Sequence, residues 1–129
     1  MEAKELRLSL KKKWFEMTKA KIKPEDYRDI NEYWGKRLIS GLNEKWELDG
    51  ALSELRSGRC IKKVEEDYIC SLKKFTINTM TLGYPSKGDT ERILKLEHKG
   101  IEIREGNPEW GAEPGKLYFV IKHGKILKR

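Results

Sequence analysis

Lys21-Ile22-Lys23-Pro24-Glu25-Asp26-Tyr27-Arg28 sets two lysines, two carboxylates, a tyrosine and an arginine around one proline. Proline has no N–H and disfavours helix for the residue before it, so Lys23 is pushed to extended backbone. A helix running up to this stretch is therefore expected to end near Lys21, and the chain after Pro24 can run as a strand. Strand side chains alternate, so Asp26 and Arg28 share one face while Glu25 and Tyr27 share the other. A helix end feeding a short charged strand makes either the rim of a cleft or a solvated turn between two elements.

On the N-terminal side, Leu6, Leu8 and Leu10 alternate with Arg7 and Ser9, the period of a half-buried strand. Residues 11–20 then predict a short helix with Trp14, Phe15 and Met17 inward, held by packing rather than by propensity. On the C-terminal side, Asn31 can cap a second helix running to about Ser40, with Tyr33, Trp34, Arg37, Leu38 and Ile39 as its stripe and Gly41 as its stop. Residues 43–72 are the least legible: Asp49-Gly50 signals a turn, 49–56 a short helix ending near Gly58, and 68–72 a strand. The last third is β-rich. Thr76, Ile77, Thr79 and Thr81 mark a strand over 75–82, residues 83–89 a loop, and 93–103 a strand broken at Lys99-Gly100. Residues 104–116, with three Gly and two Pro, predict a long loop, and 117–122 with 125–127 a closing hairpin around His123-Gly124. The order predicts one α+β domain over 1–129, two early helices flanking a small barrel whose closure removes exposed edges.

The chain has 129 residues, 38% of them charged, and a formal net charge of +7. Residues 1–23 and 116–129 each carry +5 and the stretch between them −3, so folding can gather the two ends into one basic face. Such a face attracts polyanions, nucleic acid first among them, although lysines also simply keep a small protein soluble. Twelve aromatics supply a core and exclude a disordered composition. No apolar run has the length of a signal peptide or a membrane helix, so a cytoplasmic protein with reduced Cys60 and Cys70 is expected, with no membrane partner. The two cysteines are spaced too widely for a metal knuckle, and neither a metal nor a cofactor is expected.

Lys23-x-x-Asp26-x-Arg28 after a first helix resembles the signature of ASCH domains, in the PUA-like superfamily, whose pattern is Gly-x-Lys-x-x-Glu-x-Arg. Lys23 and Arg28 match; Lys21 stands at the Gly position and Asp26 at the Glu position, with Glu25 next to it. Asp29-Ile30-Asn31-Glu32-Tyr33-Trp34 is similar to the segment that follows in phage and bacterial members. The stretch from Gly106-Asn107-Pro108-Glu109-Trp110 through Gly115-Lys116-Leu117-Tyr118-Phe119 is similar to their closing loop and strand. The resemblance covers roughly 5–40 and 75–127. It implies a PUA-like β-barrel with a helix-lined cleft for RNA or a nucleotide. Some relatives hydrolyse acylated cytidine with the motif lysine, a threonine at the position of Asp26 and a glutamate from a later strand; others are ribonucleases. Carried over, this makes Lys23, Asp26 and Glu97 the candidate catalytic residues, with aspartate in place of the threonine.

The ligand-binding candidates are Lys21, Lys23, Glu25, Asp26, Tyr27, Arg28, Tyr84 and Trp110. Lys23 can neutralise a phosphate or, if buried enough, act as a base; Arg28 can hold a phosphate through two parallel bonds; Asp26 can pin a cation or accept a base amino group. Tyr27, Tyr33, Trp34, Tyr84 and Trp110 offer stacking surfaces, with core packing as the alternative for Trp34 and a plug over the barrel end for Trp110. The same groups also suit a purely structural Lys–Asp–Arg network or a cleft for an acidic protein. Lys11, Lys12 and Lys13 oppose the dipole of the first helix and supply general attraction to anions.

Overall fold

The computed structural model describes residues 4–85 and 88–128. Ser86 and Lys87, in the expected loop of 83–89, lie outside them. In chain order the elements are β1 (Glu5–Leu10), α1 (Lys12–Lys19), β2 (Glu25–Arg28), α2 (Glu32–Leu38), β3 (Ile39–Ser40), α3 (Lys45–Arg56), α4 (Ile61–Tyr68), β4 (Ser71–Leu72), β5 (Ile77–Leu82), β6 (Ile93–Glu105) and β7 (Leu117–Lys128). Single 3-10 turns occupy Thr90–Arg92 and Pro108–Trp110. The chain is α+β, with a five-stranded sheet in the order β1-β5-β6-β7-β2 and a two-stranded ribbon of β3 and β4. β1 and β5 are parallel and β5 and β6 antiparallel, so the larger sheet is mixed. Among the described residues, β1 and β2 are its ends and do not pair with each other.

Two compact units are distinguishable, each discontinuous in sequence. The first comprises Met1–Asp26, Lys74–Gly100 and Ile121–Arg129, and the second Tyr27–Lys73 and Ile101–Val120. In the first, the expected alternation of β1 holds: Leu6, Leu8 and Leu10 are buried and the residues between them exposed. The parallel register sets Leu6 beside Asn78 and Leu8 beside Met80, and the antiparallel register sets those two opposite Leu96 and Leu94. The buried face is thus leucine and methionine with one amide, Asn78, among them. α1 buries Phe15 and Thr18, and being short and charged it is a helix that packing holds in place.

α1 ends as its sequence predicts, and by a specific device. The amide of Ile22 donates to the carbonyl of Met17 at 2.9 Å and that of Lys21 to Thr18 at 3.1 Å, the paired bonds of a Schellman motif. That motif needs a left-handed residue just past the helix, and Lys21 supplies it at φ 63°. A side chain there costs roughly 1 kcal/mol that glycine avoids. Lys21→Gly is therefore expected to raise stability by about 0.5–1 kcal/mol, read as a higher denaturation midpoint with an unchanged slope. A fall in the midpoint would show that the lysine side chain contributes more than its backbone strain costs.

The second unit holds most of what the sequence left obscure. Asn31 caps α2 as expected, its Oδ1 accepting from the Trp34 amide at 3.0 Å. The helix stops at Leu38 rather than Ser40, because Ile39 and Ser40 pair with Leu72 and Ser71. The two early helices are α1 and α2; among the described residues two more follow, and the short helix expected over 49–56 is α3, which begins earlier, at Lys45. Asp49-Gly50 is not a turn but the middle of α3, whose capping box joins Glu44 and Glu47. A Cβ on Gly50 would collide with the Tyr68 hydroxyl, and one on Gly35 would come within 2.9 Å of Leu52, so both glycines permit close helix contacts. The strand expected over 68–72 is only Ser71–Leu72, since α4 runs to Tyr68. Arg59 bridges Glu54 and Asp67 and ties α3 to α4. Tyr27 packs with Ala112, Tyr118 and Val120 in a small separate core, and its hydroxyl accepts from the Asn107 amide at 2.9 Å.

The closing hairpin is also corrected: β7 runs unbroken from Leu117 to Lys128. His123 sits mid-strand, its amide donating to the Pro24 carbonyl at 2.9 Å. Gly124 is a point of close approach rather than a turn residue, because a Cβ there would come within 2.7 Å of Lys99 and 2.8 Å of Glu97.

Candidate functional site

The first unit contains a cleft of about 370 Å³. Its walls come from the end of α1 (Thr18, Lys21), the segment leading into β2 (Lys23, Pro24), β6 (Leu96, Glu97, Lys99) and β7 (His123, Gly124, Lys125). Each contribution has a local cause. The Schellman turn reverses the chain after α1, Pro24 holds the next residues extended, and Gly124 leaves the space that a side chain would fill.

Lys23 is the centre of the polar network. Its side chain is only 1% exposed, and its ammonium is ion-paired and hydrogen-bonded to Asp26 Oδ1. The same ammonium lies 5.7 Å from the centre of the Trp14 ring, which Lys13 approaches to 4.7 Å. Asp26 Oδ2 is 3.3 Å from His123 Nε2. His123 Nδ1 is 2.7 Å from Asn78 Nδ2, and Asn78 Oδ1 is 2.8 Å from His98 Nδ1. A chain of contacts thus runs Lys23–Asp26–His123–Asn78–His98. Burial pushes the His98 imidazole below its ordinary value, and the nearby His123 adds to the effect. Its ring packs edge-on against Phe75 at 5.5 Å.

Burying an ion pair is costly unless its geometry and remaining hydrogen bonds are satisfied. Here the carboxylate receives Lys23 on one oxygen and His123 on the other, which fixes the ammonium in place. Lys21, Lys99 and Lys125 are exposed around it, and Glu97 is the acidic lining residue, its Oε1 accepting from the Lys125 amide at 2.9 Å. The site is therefore one buried, positioned cation within a ring of exposed ones.

Of the residues singled out from sequence, Lys21, Lys23 and Glu97 line this cleft, and Asp26 holds Lys23 within it. Glu25 is buried in the same unit but is not among the lining residues. Tyr84 is 96% exposed in its loop and does not line the cleft either. Tyr27, Arg28 and Trp110 belong to the second unit. There Tyr27 serves the small core, the Arg28 guanidinium stacks over Trp34 at 5.1 Å, and half-buried Trp110 closes a 3-10 turn. Lys11, Lys12 and Lys13 are exposed at the start of α1, as their sequence suggests.

Sequence reasoning missed Thr18, Lys99, His123, Lys125 and Asn78. Asn78 had a detectable signal: it is the polar member of the inward series 78, 80, 82 of a strand otherwise facing leucines. His123 was hidden by the turn reading of His-Gly.

No protein-family model matches the chain, and neither a curated protein nor a solved structure is significantly similar to it. Among the described residues, no helix is long and apolar enough to cross a membrane.

Proposed function

We propose that the chain is a PUA-like domain of the ASCH type that binds RNA or a nucleotide in the lysine-lined cleft. The observation that carries this reading is the placement of Lys23: a buried ammonium fixed by Asp26 in a cleft that also carries Lys21, Lys99 and Lys125. A pre-positioned cation loses little entropy on meeting an anionic oxygen, and the exposed lysines raise local anion concentration. The volume suits a small ligand rather than a protein surface, since such clefts span roughly 300–1,000 Å³. The left-handed Lys21 supports the motif reading, because it occupies the position where the ASCH pattern has glycine. A basic cleft of this kind belongs with a cytoplasmic protein that meets nucleic acid.

The test is the affinity for a short single-stranded oligouridine across a salt series. Each neutralised phosphate releases counterions, so three or four contacts give a log–log slope of roughly −2 to −3. An affinity that does not change with salt would exclude a phosphate-driven site. A second reading, hydrolysis of an N4-acylcytidine, has one observation in its favour: Lys23 and the Glu97 carboxylate line the same cleft. It requires turnover that Lys23→Ala abolishes.

A further inference from the structure

Asn78 is fully buried and uses both ends of its amide. Nδ2 lies 3.2 Å from the Lys122 carbonyl, which can only accept, so this end is the NH2 group. The same NH2 lies 2.7 Å from His123 Nδ1, which must therefore accept, leaving the ring proton of neutral His123 on Nε2. Nε2 faces Asp26 Oδ2, to which it donates. At the other end, Asn78 Oδ1 can only accept, so His98 carries its proton on Nδ1. The two histidines are thereby assigned opposite tautomers by one side chain.

We propose that Asn78 is a positioning residue of the cleft. By donating to His123 Nδ1 it fixes that ring's proton on Nε2, which commits Asp26 to His123 and Lys23 and leaves the buried end of the cleft a hydrogen-bond donor for a ligand's anionic oxygen. Asp26 then acts by holding Lys23, not by accepting an amino group from the ligand. The tautomer assignment stands on geometry alone; the last step, the ligand, rests on the nucleotide reading above.

The chain has only two histidines, so long-range proton–nitrogen spectra of the ring nitrogens in the full chain read both directly. Expected are pyrrole-type signals for His98 Nδ1 and His123 Nε2, and pyridine-type signals for the other two nitrogens. His123 protonated on Nδ1, or both rings in one tautomer, overturns the proposal without any variant. In Asn78→Leu, His123 is expected to show mixed tautomers, and affinity for uridine monophosphate is expected to fall roughly tenfold, the scale of one lost buried hydrogen bond. Wild-type protein that binds no uridine monophosphate but shows opposite tautomers overturns the nucleotide reading and the ligand step alone. Wild-type protein that binds while Asn78→Leu binds equally well overturns the positioning role.

Discussion

Leucine at Asp26 is expected to lower the unfolding free energy by about 3–5 kcal/mol, the scale of removing one member of a buried ion pair. Asp26 is 3% exposed and its carboxylate meets both the Lys23 ammonium and His123, so its removal takes a counter-charge away from a buried cation. The pair itself need not be stabilising relative to an apolar core. Lys23→Met/Asp26→Leu is therefore expected to recover most of the loss, giving a large coupling energy in a double-mutant cycle. Chemical denaturation of the four proteins measures it. Additive losses at the two positions would show that Lys23 and Asp26 do not depend on each other.

Lys23→Met is expected to weaken nucleotide binding by at least about thirtyfold, as expected for a desolvated, hydrogen-bonded charge at an interface. Lys99→Ala and Lys125→Ala, at exposed positions of the same cleft, should each cost only a few-fold and act mainly on the association rate. Stopped-flow association and dissociation separate the two cases. Equal losses at all three positions, all in the on-rate, would mean that the cleft works as a diffuse basic patch with no privileged lysine.

How far the sequence disclosed this arrangement depends on which signal each segment carries. Pro24 and the strict alternation of Leu6, Leu8 and Leu10 are local devices, so the end of α1, β1 and β2 were legible. Of α3 only the C-terminal part was legible, because Asp49-Gly50 reads as a turn wherever it occurs, and α4 was not. Only the packing of Tyr68 over Gly50 makes the missing side chain useful there.

 It is the tertiary contact, not the dipeptide, that decides the helix. The same holds for His123-Gly124, where the neighbouring Lys99 and Glu97 side chains occupy the space over the glycine and the strand runs through. Of the candidate site, Lys21, Lys23, Asp26 and Glu97 were legible through the motif and its resemblance. Asn78 and His123 lie far from it in sequence and meet Asp26 only through the sheet register and the course of β7.

The most direct test of the central claim is a titration of the nitrogen-labelled chain with a short single-stranded oligouridine, followed through backbone amide shifts. The account predicts that the largest changes fall on Thr18, Lys23, Glu97, His123 and Gly124, which line the cleft from four separate segments. Changes confined to Lys11, Lys12 and Lys13, or no saturable change at the cleft residues, would contradict it.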